Sequence, residues 1–254
     1  MTNCTKKNTG FTLIEMSIVM VIIGLIIGGI LIGQELIRGA EARGIISQID
    51  KYTAAVNVFK NKFNAVPGDY ISATSYLSAS ATNGNGDGLI NDNTTGIGTA
   101  GVSYATLSAT SENQGFWNHL YLANTIEGNF TGVSTVTLGT SFPYTKANRG
   151  GIFVYGFTDY YNYYAVGLVT TGTTTVTTAG NLTPDCAMAI DIKFDDGLPT
   201  TGTVTAKGGT AIETVYSSGA IGTSNCVSTS QTPNVYNSSI GASYLCQLKI
   251  QMQN

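Results

Sequence analysis

The chain has 254 residues, only 11% of them charged, and a formal net charge of −3. Soluble domains ordinarily carry about 25% charged residues. Without a basic patch beyond the first few residues, the chain also lacks the electrostatic footprint of a nucleic-acid binder. The 31 glycines, with a second half rich in Thr, Ser and Asn, suit short strands and turns under a polar surface.

The first predicted element is apolar. Residues 6–33 read KKNTGFTLIEMSIVMVIIGLIIGGILIG, two lysines and a glycine ahead of a hydrophobic run that holds a single charge, Glu15. About 20 apolar residues cross a bilayer as a helix, so residues 11–33 are expected to span a membrane with the lysines on the cytoplasmic side. A secretory signal would have a shorter apolar core and a small-x-small cleavage site after it. A plain anchor accounts for the length but not for Glu15, because a bare carboxylate in hydrocarbon costs roughly 2.5–3.5 kcal/mol on insertion scales. Two small-xxx-small spacings, Gly24/Gly28 and Gly29/Gly33, permit close helix–helix approach in such a medium.

The order Lys6-Lys7-Asn8-Thr9-Gly10, then Phe11-Thr12-Leu13-Ile14-Glu15-Met16, closely resembles the prepilin-type N-terminal motif of the type IV pilin and type II secretion pseudopilin family. The resemblance is confined to this N-terminal segment. It implies a leader, residues 1–10, removed by a prepilin peptidase after Gly10, and N-methylation of the new terminus at Phe11. It further implies a precursor in the inner membrane that meets an assembly platform there and polymerises into a homo-oligomeric helical filament. That filament would be periplasmic or at the cell surface, a fimbrium. In such a fibre Glu15 would pair with the α-amine of a neighbouring subunit, which is far less costly than burying a lone charge and sets axial register. Many members carry a proline where this chain has Ile32, a departure that leaves pilus versus pseudopilus open.

Residues 34–66 continue the helix with a different pattern. Ile37, Ile45, Ile49, Tyr52, Val56, Phe59 and Phe63 recur mostly at three- and four-residue steps, the mark of an amphipathic helix. Pro67-Gly68 ends it. One nearly continuous helix from Phe11 to about Phe63 is therefore expected, its second half packed on a globular head.

Residues 67–254 form that head. Residues 150–157 and 161–169 read as a hairpin around Thr158-Asp159-Tyr160, and residues 244–252 as a terminal strand. Residues 186–194, CAMAIDIKF, read as a strand or strand plus turn, and residues 111–124 as a short helix. The fold class is α+β: a long N-terminal helix, transmembrane and then amphipathic, packed on an antiparallel sheet. This is the pilin-like arrangement that the resemblance implies.

One stretch of the head carries metal chemistry. In NGNGDGLINDN, residues 83–93, oxygen side chains alternate at Asn83, Asn85 and Asp87, and Gly88 allows a sharp turn. The Leu89 carbonyl, with Asn91 or Asp92, would complete a set like the first half of an EF-hand loop. Thr94 stands where such a loop has its bidentate glutamate, so a structural Ca²⁺ of modest affinity is expected, Kd roughly 10⁻⁴–10⁻³ M. A plain Asn-Gly/Asp-Gly turn would use the same residues. Asp195-Asp196-Gly197 is a second acidic turn, read without metal.

The four cysteines, Cys4, Cys186, Cys226 and Cys246, include no Cys-x-x-Cys, so zinc is not expected. Cutting at Gly10 leaves three, hence one pair and one thiol in an oxidising compartment. Cys226–Cys246 is the favoured pair, in keeping with the C-terminal staple of many pilins; pairing of Cys186 with either stays open. No catalytic residue is expected. His119 is the single histidine and has no Ser or Cys partner in view; neither a nucleophile elbow nor a phosphate-binding glycine loop occurs. The chain thus reads as a structural filament subunit. The rivals are a type II secretion pseudopilin and a minor pilin acting as an adhesive or DNA-binding tip.

Overall fold

The computed structural model describes residues 10, 12–91, 111–132, 135, 137–146, 150–156, 159–169, 178–208, 226–228, 232–238 and 246–253. The chain divides into two units, Met1–Ala40 and Glu41–Asn254. A single helix, α1 (Leu13–Phe63), contributes to both.

In the first unit α1 is apolar on every side from Met16 to Gly33. Its large side chains from Leu13 to Ile37 are exposed. An 18-residue window reaches a mean hydropathy of 2.7 with none of it buried, long and apolar enough to cross a membrane. A helix that is hydrophobic all round needs an apolar surrounding, whether lipid or other helices.

In the second unit α1 is one-sided. Ala42, Ile45, Ile49, Tyr52, Val56 and Phe59 are buried, at steps of three and four. Fully burying a side chain of the Ile or Phe kind contributes about 1.5–3 kcal/mol, so this stripe is what ties the helix to the head. Ile37, expected on the same stripe, is 62% exposed, and Phe63 only partly buried; the packed face begins at Ala42. The helix stops where Asn64 turns to positive φ and Pro67-Gly68 follows. Gly68 is required at that turn, because with φ +89° an added Cβ would lie 2.5 Å from the Glu112 carbonyl oxygen.

A short helix, α2 (Ala73–Tyr76), and α3 (Glu112–Leu122) come next. Trp117 of α3 meets Tyr52 of α1 edge to face at 4.8 Å between ring centroids. The sheet is built from β1 (Gly151–Gly156), β2 (Asn162–Val169), β4 (Val204–Gly208) and β7 (Cys246–Gln251) in the order β1-β2-β7-β4, every pair antiparallel. A two-residue strand, β3 (Thr178–Ala179), pairs antiparallel with the end of β2, and β5 (Val227–Ser228) pairs with β6 (Val235–Tyr236). The terminal strand β7 is therefore interior to the sheet.

Register places Ile152, Val154, Tyr164, Val166, Leu248 and Ile250 on one face. That face meets α3, with the rings of Phe116 and Tyr164 6.4 Å apart. Phe153, Tyr155, Tyr163 and Ala165 occupy the opposite face and are also buried. Both faces are thus covered, which explains why β1 is buried along its whole length.

The segment expected as a strand at residues 186–194 is a helix, α4 (Pro184–Phe194). Thr183 is its N-cap and accepts the Cys186 N–H, with Pro184 at the first helical position. Cap and proline favour helix initiation. The buried set Cys186, Ala187, Ile190 and Asp191 has helical rather than alternating spacing. The short apolar run was ambiguous on periodicity alone, and the Thr-Pro start decides it.

Candidate assembly helix and candidate metal centre

At the start of α1, Thr12 and Glu15 form a capping box. The Thr12 N–H donates to Glu15 Oε2 at 2.8 Å and the Thr12 hydroxyl donates to the same oxygen at 2.7 Å. The Glu15 N–H returns to Thr12 Oγ1 at 3.3 Å. These bonds satisfy backbone donors that a helix start leaves open. Thr12-Leu13-Ile14-Glu15 is a Thr-x-x-Glu signal ahead of an apolar run, so the cap is legible in the sequence. Gly10 is exposed, and Phe11 lies outside the described residues.

In the head, three acids converge. One carboxylate oxygen each from Asp69, Asp87 and Glu112 lies within 4.8 Å of the others. Asp87 comes from the expected loop. Asp69 follows the Pro-Gly that ends α1, and Glu112 opens α3. The loop folds round these two acids because its backbone donors point at them. Asp69 accepts N–H bonds from Gly86, Asp87 and Gly88. Glu112 accepts from Asn85 and Asn91, each at 2.9 Å. Gly84 is needed where the chain crosses Asp69, since a Cβ there would lie 2.3 Å from the Asp69 backbone.

The other residues expected to supply ligands are placed as follows. Asn85 Oδ1 accepts the Asp87 N–H at 2.9 Å, and its amide donates to Asp87 Oδ2 at 3.1 Å. The Asn91 amide donates to the same Asp87 oxygen at 3.3 Å. Asn83 Oδ1 accepts the Thr74 N–H at 2.9 Å. Leu89 is buried and donates its N–H to Asp87 Oδ1 at 2.8 Å. Asp92 and Thr94 lie outside the described residues. Nothing in local spacing pointed to Asp69 or Glu112, which lie 18 and 25 residues from Asp87 along the chain.

The electrostatics of the cluster call for a positive charge. Glu112 is 1% exposed and Asp69 4%. Burial pushes the Glu112 carboxyl up to about 8, outweighing its two backbone bonds and aided by the neighbouring acids Asp69 and Asp87. Asp69 is raised as well, chiefly by burial. A proton or a cation can supply what is missing. Each carboxylate oxygen has two lone pairs, so the backbone bonds leave room for a ligand. The donor set is all oxygen, which suits a hard cation such as Ca²⁺.

The remaining candidates have structural partners. His119 is fully buried; its Nδ1 accepts the Gly68 N–H at 2.9 Å, and its Nε2 lies 2.8 Å from the Thr82 carbonyl oxygen. Burial lowers its pKa to about 4. Tyr163 and Tyr164 are buried on opposite faces of the sheet, whereas Tyr160 and Tyr161 are exposed in the hairpin turn. In the second acidic turn, Asp195 accepts N–H bonds from Thr203 and Val204. Asp196 accepts from Leu198 N–H at 2.8 Å and from the Thr201 hydroxyl at 2.6 Å. These acids shape the turn. Cys226 and Cys246 form a disulfide, and Cys186 is a buried free thiol.

No curated protein and no solved structure matches the chain. The family described as the prokaryotic N-terminal methylation motif matches residues 5–31. That motif implies processing by a prepilin peptidase and filament assembly in general, and points to a structural subunit rather than an enzyme. With the apolar helix behind it, the motif is compatible with an inner-membrane precursor. Residues 5–31 are accordingly the prepilin-type motif of type IV pilins and pseudopilins, and this chain carries it.

Proposed function

We propose that this chain is the structural subunit of a type IV pilus-like filament. The precursor is cut after Gly10, methylated at Phe11 and polymerised through residues 11–33. The observation that carries the reading is a contrast within one helix. Every large apolar side chain from Leu13 to Ile37, most of them within the motif, is exposed, whereas from Ala42 onward α1 has a buried stripe. The head therefore has its own core, and the N-terminal part of α1 is left to be covered by lipid and then by other copies. Glu15 supplies the carboxylate that meets the α-amine of a neighbour.

We further propose that Asp69, Asp87 and Glu112 hold a structural Ca²⁺. The ion would neutralise the three acids and stiffen the loop at residues 83–91. It would supply binding energy to the fold and take no part in chemistry.

The test is the mass of the N-terminal peptide in filaments sheared from cells and in the cell envelope. An abundant methylated Phe11 terminus in the sheared fraction supports a pilus subunit. The same peptide confined to the envelope at low copy assigns the chain to a type II secretion pseudopilin or to a minor tip subunit. Retention of Met1 in both fractions sinks the processing and filament reading together.

A further inference from the structure

We propose that His119 is a positioning residue for the cation site, acting through Gly68 on Asp69; the proposal rests on the calcium reading above. The ring Nδ1 accepts the Gly68 N–H at 2.9 Å, so in the neutral ring the proton sits on Nε2, which donates to the Thr82 carbonyl at 2.8 Å. One ring therefore bonds the residue before Asp69 and the residue before Asn83. Just beyond this clamp the two chain segments stay together: the Gly84 N–H donates to the Tyr70 carbonyl at 3.0 Å, and Gly84 packs so tightly on the Asp69 backbone that a Cβ would not fit. Asp69 then receives the N–H groups of Gly86, Asp87 and Gly88. The ring has little freedom to turn. It is fully buried and stacks on Phe59 of α1, with 6.1 Å between centroids and 12° between planes. His119 thus fixes where the Asp69 carboxylate stands relative to Asp87 and Glu112 without being a ligand itself. Groups that orient ligands in this way are worth about 10–100-fold in metal affinity.

Two carboxamides divide the clamp. In His119→Asn the side-chain oxygen stands where Nδ1 does and keeps the Gly68 bond; in His119→Gln the amide reaches Thr82 and the Gly68 bond is lost. The first measurement is the Kd for Ca²⁺, read from the Gly86 and Gly88 amide NMR signals of the full chain in detergent micelles at neutral pH. His119→Gln raises Kd at least about tenfold, and His119→Asn keeps it within about threefold. A ring that only filled space would change stability and leave the Kd of the folded protein alone. The second measurement is hydrogen exchange at the same loop in chelator. Gly86, Asp87 and Gly88 exchange at least about fivefold faster in His119→Gln, the factor of one hydrogen bond, while the amides of β1 and β2 keep the wild-type rate. His119→Phe, which lacks both bonds, takes the place of His119→Gln should that variant not fold. Wild-type Kd and exchange in His119→Gln, or equal loss in both carboxamide variants, overturns the proposal. A wild-type chain whose signals do not respond to Ca²⁺ overturns the calcium reading instead, and the exchange rates then decide the hold on Asp69.

Discussion

Asn91 and Glu112 hold each other twice. The Glu112 N–H donates to the Asn91 carbonyl at 3.0 Å, and the Asn91 N–H donates to Glu112 Oε2 at 2.9 Å. This reciprocal pair joins the end of the acidic loop to the first residue of α3. It also sets a buried carboxylate beside Asp69 and Asp87. The acid that completes the cluster is thus the one that also binds the backbone at the end of the acidic loop.

Calcium should stabilise the head through this cluster. At about 2 mM Ca²⁺ and a Kd near 10⁻⁴–10⁻³ M, mass action adds roughly 1 kcal/mol. For a domain of this size that is a rise in Tm of about 2–4 °C. Glu112→Gln and Asp69→Asn should lose the calcium-dependent part of the rise. Differential scanning fluorimetry of the processed protein in detergent, with and without chelator, measures it. An equal calcium response in the variants would remove these acids from the site.

Asn162 should matter more than its place at the start of β2 suggests. Its amide donates to the Gly88 carbonyl at 2.8 Å and its Oδ1 accepts the Ile90 N–H at 2.9 Å, tying the acidic loop to the sheet. Asn162→Ala leaves the buried Ile90 N–H without that partner, at about 1–3 kcal/mol, whereas the carbonyl of the exposed Gly88 can turn to water. Urea denaturation should show a loss of at least about 1 kcal/mol. A change within ~0.5 kcal/mol, the range of an ordinary surface substitution, would show that the loop is held by other contacts.

His119 gives a pH signature. Its native pKa is about 4, below the ordinary 6.5, because burial disfavours the charged ring. Between these values the unfolded chain takes up a proton that the native protein refuses. The contribution is therefore fully present above about pH 6.5 and is lost as pH falls toward 4, on the order of 3 kcal/mol in all. His119→Gln should flatten the stability profile over this window relative to wild type, by denaturant titration at a series of pH values. Parallel profiles would show that His119 does not stay neutral in the fold.

The Cys226–Cys246 disulfide joins the β5–β6 region to the interior strand β7. Closing a loop of about this length is worth roughly 3 kcal/mol. Cys226→Ala should cost that much, read by chemical denaturation under non-reducing conditions. Cys186 behaves differently: burial pushes its thiol up to about 12. It should resist iodoacetamide in the native protein at pH 8 and react fully after unfolding, with peptide mass as the readout. Rapid native labelling would place the thiol at the surface.

Local pattern determined much of this protein. The Lys-Lys…Gly-Phe…Glu order, the apolar run and the Ile45-to-Phe59 stripe each lie within a few helical turns. Covalent spacing therefore suffices to recognise the motif, the exposed segment and the face of α1 that packs. The hairpin of β1 and β2 was legible for the same reason, its partners being joined by a short turn. At residues 186–194 sequence periodicity misled, because a short apolar run fits helix and strand alike until the Thr183 cap is weighed. Only the tertiary structure decided the rest. It set β7 between β2 and β4, covered both faces of the sheet, and brought Asp69 and Glu112 to Asp87. Those contacts join residues far apart in the chain. What selects them is the joint burial of apolar side chains and the need of buried backbone N–H groups for acceptors, and no window of sequence contains both partners.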